Sequence, residues 1–458
     1  MDIIREEESD IRTFFNRIIK KDFSGTAGIA LKNSIYQFST TLIGKVGALI
    51  LTIILARLLL PEVFGLYTLA LATILIFVAF SDLGIGDSLI RFVSKELGRK
   101  NIAKAKAYSE YLIKIKIFIM LVVSAILIFS AKFIAENYYN KPLTSALIAG
   151  SLYVLFGGGV VILQSLLQAH NFFKPILYRE SLFQVLRVVI IPIFILLSIK
   201  NLSSEFLVAT IILILSLSFA FSVLLLYVFY KKTIFIGAWK TSRKNLSKKE
   251  KVNVKKFVLL NSTIILSGIF FGYIDIVMLG YFVSSEYIGY YQGAFSFINA
   301  AISLITFSGA LLPVFSRLNK GKLNIFMEKS TKAIFLVSIA AFLFIFFAAK
   351  PLIITIFGQE YSSSVNILRI LSFLLLSIPI TTIYSTYFIS SGKPGTVSKF
   401  LVISTLINIV LNYILISYFI THSSLYATYG AAVATIISRY FFMIFLMAYR
   451  RKTIGVKD

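Results

Sequence analysis

The sequence contains no cysteine, so it carries neither a disulfide framework nor a thiolate that could serve as nucleophile or metal ligand. Its only two histidines, His170 and His422, are far apart and form no HExxH spacing, which leaves a histidine-based hydrolase or zinc site without donors. No G-x-x-x-x-G-K-[ST] run cradles a nucleotide phosphate, and no D-x-D accompanies a sugar-nucleotide site. Catalytic residues, metal ligands and cofactors are therefore expected to be absent, and the chain is not expected to be an enzyme. Charge itself is scarce: Asp, Glu, Lys and Arg make up 14% of 458 residues, against about 25% in soluble domains. With 58% hydrophobic residues and a mean hydropathy of +0.87, that deficit excludes a soluble globular enzyme.

What fills the chain instead is a series of apolar runs of the length a helix needs to cross a hydrocarbon core of about 30 Å. Spans are expected at 33–57, 63–90, 111–135, 143–169, 177–199, 205–230, 257–282, 286–316, 330–356, 363–390, 395–420 and 424–449. Acidic residues number 20 against 46 basic ones, a balance that would ordinarily suggest nucleic acid. The basic residues, however, cluster in every second loop. Thirty-five of them fall on the side of the N-terminus, five in the alternate loops and six within spans. This is a topology signal, and it places both termini in the cytoplasm of a cell (plasma or inner) membrane with no nucleic-acid partner.

The first residues do not form a secretory leader. Ile11, Phe14, Phe15, Ile18 and Ile19 share one helix face opposite Arg12, Arg17, Lys20 and Lys21, as in a helix lying in the membrane interface. The expected organisation is an N-terminal cytoplasmic segment (1–32), a first lobe (33–230), a basic linker (231–256) with Trp239 at headgroup level, a second lobe (257–449) and a tail (450–458). A shift of 224 residues superposes the two lobes. It matches Leu42, Gly44, Ile50, Leu55, Glu62, Gly65, Tyr67 and Ala70 with Leu266, Gly268, Ile274, Leu279, Glu286, Gly289, Tyr291 and Ala294. Lys174 and Pro175 are echoed by Lys393 and Pro394. Six spans separate the copies, so both lobes enter the membrane in the same sense. The expected fold is an all-α, twelve-helix bundle of two lobes about a pseudo-two-fold axis along the membrane normal, with a cavity between them.

Ionisable residues at depth mark candidate sites, since each costs about 2.5 to 3.5 kcal/mol unless it faces water or a partner. Lys45 lies twelve residues before Arg57, roughly 18 Å along a helix and near mid-membrane, beyond easy snorkelling. Its repeat counterpart is the neutral Ile269. Arg187, preceded by Arg179, Glu180 and Gln184, either joins Lys45 in a positive cavity or pairs with Glu180. Asp275 either binds a coupling cation or sugar hydroxyls, or neutralises a cavity arginine. Gln164 with Gln168, and Asn408 with Asn412, are i, i+4 pairs that line water or join helices. Arg439 is deep in the last span. Asp82 and Asp87 are expected to form a helix-end motif or gate with Arg91, whereas Lys114 and Lys116 read as snorkelling residues.

The order of these features, with ARLLLPEVFGLY (56–67), SDLGIGDSLIRF (81–92), a basic loop and a repeated six-helix lobe, resembles the polysaccharide transporter branch of the multidrug/oligosaccharidyl-lipid/polysaccharide flippase superfamily. The resemblance implies a MATE-like fold and transfer of a polyprenyl-pyrophosphate-linked oligosaccharide from the cytoplasmic to the outer leaflet. Lipid-linked sugar flippases of this superfamily carry a basic residue where Lys45 stands in GKVGALILTIILAR (44–57). A further arginine of theirs falls where this sequence has Leu, Ile and Thr. The partners implied are the lipid-linked oligosaccharide and membrane lipids, for a monomer with glycan-synthesis machinery as a candidate associate. A cation-coupled multidrug exporter using Asp275 is the alternative, and a membrane enzyme acting on lipid-linked sugars a third.

Overall fold

The structure is a computed structural model and describes residues 25–233, 245–306 and 320–454. The expected interfacial helix at the N-terminus and Trp239 of the linker lie outside the described residues. Thirteen α-helices follow in chain order among those described. α1 (Gly25–Asp82), α2 (Ile85–Gly98), α3 (Ile102–Lys132), α4 (Thr144–Ala169), α5 (Lys174–Ser198) and α6 (Ser204–Thr233) form the first lobe. α7 (Lys248–Phe282), α8 (Ser285–Ile305), α9 (Lys320–Phe357), α10 (Ser364–Leu371), α11 (Leu374–Ser390), α12 (Pro394–Phe419) and α13 (Ser424–Ile454) form the second. A π-helical turn, Phe133–Tyr138, extends α3.

Ten continuous helical segments among the described residues are long and apolar enough to cross a membrane. One of them holds two limbs of α1, which is broken at Leu60, and α8 adds a further 21-residue helix. The described residues thus form an all-α multi-pass membrane protein with twelve helical limbs of about membrane length. Leu60 takes φ 58° and ψ 171°, a conformation L residues hold only under surrounding constraint. Pro61 follows, and its fixed φ starts the second limb without wasting a backbone donor. The chain reverses there. Gly44 of the first limb meets Glu180 near the start of α5, and Arg57 reaches the end of α9. In the second limb Thr73 bonds Tyr139 beyond α3, while Asp82 meets Lys116 in the first half of α3. The membrane face on which the described chain begins and ends is called the basic face below, and the other the far face.

At the far face the lobes interlock reciprocally. A methyl group on Gly65 would overlap the Ser285 carbonyl oxygen, and one on Gly289 would overlap the Pro61 carbonyl oxygen. These are repeat partners under the 224-residue shift, so the pseudo-two-fold axis passes between them. The same reciprocity extends outward. Tyr361 donates to the Ala56 carbonyl (3.0 Å) and Lys141 Nζ donates to the Gly280 carbonyl (2.6 Å), Ala56 and Gly280 again being partners. Arg57 adds bonds from Nε to the Ile356 carbonyl (2.8 Å) and from its second nitrogen to that of Thr355. The largest buried cluster crosses this junction, with Leu66, Leu69 and Ala70 against Ile276, Leu279 and Tyr291.

At the basic face one arm of each lobe also meets. Asn261 Nδ2 donates to Asp87 (2.9 Å), Arg91 stacks on Phe257 (4.2 Å), and Lys104 pairs with Glu250. The first limb of α1 and the end of α8, in contrast, stand apart around a cavity.

Candidate functional site

That cavity, of about 300 Å³, is lined on α1 by Asn33, Gln37, Thr41 and Lys45, each one helical turn beyond the last. Ser303 and Thr306 face them from the end of α8, and Phe173 closes the side next to α5. Lys45 is exposed to this space, and among the described residues it has no ion-pair partner. One ammonium, four hydroxyls counting Ser34, and two amides therefore share the wall of this volume with the apolar side chains of Phe38, Leu42 and Phe173. Such a set binds a hydrated anion with attached hydroxyl groups through charge-assisted and neutral hydrogen bonds.

Directly behind this wall lies a buried polar network that fixes α5 on α1. Gly44 and Gly47 carry no side chain where Glu180 and Gln184 press in. Gln184 Nε2 donates to Glu180 (2.6 Å) and to the Gly44 carbonyl (3.3 Å), and Arg187 Nε donates to Gln184 Oε1 (2.7 Å). Glu180 is paired with Arg179 (2.9 Å), whose other nitrogen donates to Gln164 (2.7 Å). Of the two expectations for Arg187, direct pairing with Glu180 is thus replaced by a relay through Gln184, because Arg179 occupies the carboxylate. Arg187 stacks on Phe183 (5.1 Å), and its field reaches Tyr67 and Tyr153. Gln164 joins helices, while Gln168 Nε2 donates to Gln37 (3.3 Å) at the cavity wall.

The second lobe holds a separate cluster, closed to solvent. Asp275 accepts from Tyr291 (2.7 Å), Asn412 Nδ2 (2.8 Å) and Thr435. Asn408 Nδ2 donates to Ser438 (3.1 Å) and Thr435 (3.3 Å). The Oδ1 atoms of Asn408 and Asn412 are buried without a hydrogen-bond partner. Arg439 does not pair with Asp275 within ion-pair distance among the described residues. It lies over the Phe271 ring (3.6 Å) and donates to the Phe271 carbonyl (3.0 Å).

Two expectations at the basic face are corrected. Arg91 takes neither Asp82 nor Asp87; its guanidinium lies on Phe257 of the other lobe instead. Lys116 does not snorkel. Only 1% exposed, it donates from Nζ to Asp82 Oδ1 and to the Ser81 carbonyl at 2.8 and 2.9 Å. Sequence reasoning also passed over Asn33, Gln37 and Thr41. Their four-residue spacing, running into Lys45, was the available signal.

The site residues therefore form three groups: an open polar cavity at Lys45 backed by the Arg187 relay, a closed cage at Asp275, and a lobe-to-lobe joint at Asp87 and Arg91. This is the arrangement of a multi-pass membrane protein built as two lobes around a cavity that reaches one face. Residues 30–319 match the family described as "Polysaccharide biosynthesis protein", and the chain belongs to that family. Among curated proteins it is similar to the probable low-salt glycan biosynthesis flippase Agl15 of Haloferax volcanii, 24% identical over 193 residues. That match covers 41% of this chain and spans 38% of the relative's length. The fold is shared with an inward-facing multidrug resistance MATE family transporter of the MOP superfamily, at TM-score 0.67 and 15% identity over 93% of this chain and 99% of that one. It is shared equally with the lipid II flippase MurJ in an inward closed conformation, at TM-score 0.66 and 17% identity over 90% of this chain and 87% of that one.

Proposed function

We propose that the protein is a flippase that moves a polyprenyl-pyrophosphate-linked oligosaccharide from the cytoplasmic to the outer leaflet. The observation that carries this reading is the cavity at Lys45: a cation with no ion-pair partner among the described residues, set beside hydroxyls and amides, between lobes that are interlocked at the far face. In this scheme the pyrophosphate enters from the basic, cytoplasmic face and is held by Lys45, with Arg187 adding field from behind through Gln184. The sugar finds partners in Asn33, Gln37, Thr41, Ser303 and Thr306. Loosening of the far-face contacts and closure of α1 on α8 then expose the cargo to the other side. The family and the glycan-flippase relative support the cargo class. Alternating access demands no bond chemistry, in keeping with a transporter rather than an enzyme.

Lys45→Ala in purified, reconstituted protein is expected to lower transfer of a fluorescent lipid-linked oligosaccharide across vesicle membranes by about tenfold or more, the scale of one charge-assisted contact. Lys45→Arg should restore much of it. Wild-type transfer by Lys45→Ala, at equal protein content, would remove the anchor assignment.

A cation-driven cycle is the second reading, favoured by the buried Asp275 carboxylate, held by Tyr291, Asn412 and Thr435 in a cluster whose Asn408 and Asn412 Oδ1 atoms are buried without a partner. Transfer rates measured with sodium, potassium and proton gradients, in the wild type and in Asp275→Asn, test it. Indifference of the wild type to all three gradients rejects it.

A further inference from the structure

The stripe on α1 that begins with Asn33, Gln37, Thr41 and Lys45 continues in the same four-residue register to Leu49 and Ile53. At Lys45 the chemistry changes. Leu49 and Ile53 line a second cavity, of about 400 Å³, whose lining is apolar throughout. Across it stand Ala300, Ala301 and Leu304 of α8 and, behind them, Ala341 and Ile345 of α9. On α8 the two linings interleave: Ser303 and Thr306 face the polar cavity, Leu304 and Ile305 beside them face the apolar one, and Phe297 and Ala300 carry the apolar lining further toward the far face. The two cavities thus adjoin along one helix-helix seam, and on α1 the change falls just beyond Lys45.

We propose that the apolar slot holds the hydrocarbon chain of the lipid whose anionic headgroup is held at Lys45, an inference that rests on the flippase reading above. The commitment to a lipid chain comes from this continuity: an amphiphile with an anionic head and an apolar tail is the ligand that satisfies a polar cavity, a lysine and an oily slot in that order. Side access supports it. Leu304 and Phe344, which line the slot, are 68% and 62% exposed, so the described residues do not close the slot over, as sideways entry of a chain from the bilayer requires.

The position of the slot adds an orientation. Leu49 and Ile53 lie about 6 and 12 Å beyond Lys45 toward the far face, and Ile356, which closes the slot, also receives Arg57 at that face. An ordinary lipid of the cytoplasmic leaflet keeps its head outside this depth and its tail near the midplane. A lipid bound here has its head at mid-membrane and its tail already in the far half. The tail therefore inverts before the head does. Exchange of bilayer for slot removes no apolar surface from water, so the slot orients the chain through packing and selects its shape and length rather than contributing large affinity.

Two measurements test this. The first fills the slot with Ala301→Trp and, separately, Ala341→Phe, with Phe347→Trp as a control on the outer, 74% exposed face of α9. Vesicle transfer of a long-chain polyprenyl diphosphate N-acetylglucosamine is expected to fall by about tenfold in the slot variants. Transfer of the geranyl analogue with the same head should stay near wild type, and the control should transfer both substrates at the wild-type rate. Equal loss of the short and long substrates, or wild-type transfer of the long one by variants that elute as folded protein, overturns the proposal.

The second places a photoreactive benzoylphenylalanine at position 304 in the full-length protein in vesicles containing the same long-chain probe. A probe adduct that disappears in Lys45→Ala supports the slot, and adducts with bulk phospholipid alone refute it. If wild-type protein transfers no lipid-linked sugar at all, yet the Lys45-dependent adduct forms, the flippase reading fails while the seating of an anionic lipid's tail stands.

Discussion

A single buried charge pair shows how much of this protein's chemistry is structural. Lys116 and Asp82 are joined at 2.8 Å with the lysine almost fully buried, and each is a charge the membrane interior tolerates only because of the other. Removing one partner of such a pair leaves an uncompensated charge and costs about 3 to 5 kcal/mol, whereas replacing both is often near neutral. Lys116→Met is therefore expected to lower the thermal midpoint in detergent clearly, and Lys116→Met with Asp82→Asn to recover most of the loss. Additive losses in the double variant would mean that the two charges act separately. At Lys45 the same physics leads elsewhere. There the cation faces an open cavity and is held ready for a mobile partner, so its replacement is expected to leave the midpoint nearly unchanged while lowering transfer. The contrast between Lys45 and Lys116, only the second of which is paired among the described residues, separates a candidate binding lysine from a structural one.

Between helices, the determining feature is close approach. Gly65 and Gly289 bring the second limb of α1 and α8 together until each backbone touches the other's carbonyls, and a side chain at either position meets backbone, which cannot rotate away. Gly65→Ala and Gly289→Ala are each expected to weaken the far-face junction by about 1 to 3 kcal/mol, the usual cost of overpacking. Because the natural chain lacks cysteine, Tyr138→Cys and Tyr281→Cys can report directly on that junction. Their rings lie 5.3 Å apart across the lobes. A short bifunctional thiol reagent should link them efficiently in the parent and poorly in either alanine variant; equal yields would show that the junction tolerates the added methyl groups.

How far such features can be read from a sequence depends on how local they are. Span length and the all-helical, multi-pass character of the fold are properties of the chain taken a few tens of residues at a time, and they were legible. The partner a side chain finds on another helix is not. Nothing in sequence assigns Glu180 to Arg179 rather than Arg187, or sends Lys116 back 34 residues to Asp82. The neutral stripe of Asn33, Gln37 and Thr41 was visible in principle but carries little weight inside a long apolar run until the opposite wall, Ser303 and Thr306, is known.

For the molecule as a whole, the flippase reading makes transport turn on the balance between far-face-closed and far-face-open forms, and Lys141 is expected to couple that balance to pH. It sits in the loop after α3, outside the membrane-spanning segments, and in the closed form donates to the carbonyls of Gly280 in the other lobe and Tyr139 in its own, at 2.6 and 3.2 Å. Burial against the second lobe pushes its amine down to about 8, from the ordinary value of about 10.4 that it regains when the lobes part and water returns. Between those values the open form binds more protons than the closed one, so raising the pH through this window shifts the population toward closure of the far face. Below about 8 both forms are charged and the balance no longer responds to this group; above about 10.4 both are neutral. Spin labels on cysteines placed at Glu136 and Tyr413, exposed on opposite lobes near this junction, should therefore report a growing short-distance population from pH 7 to 10. Lys141→Met should flatten that dependence and hold the far face in its high-pH balance at every pH. A pH response that persists unchanged in Lys141→Met would assign the coupling to another group, with the neighbouring Tyr138 and Tyr281 the first to replace.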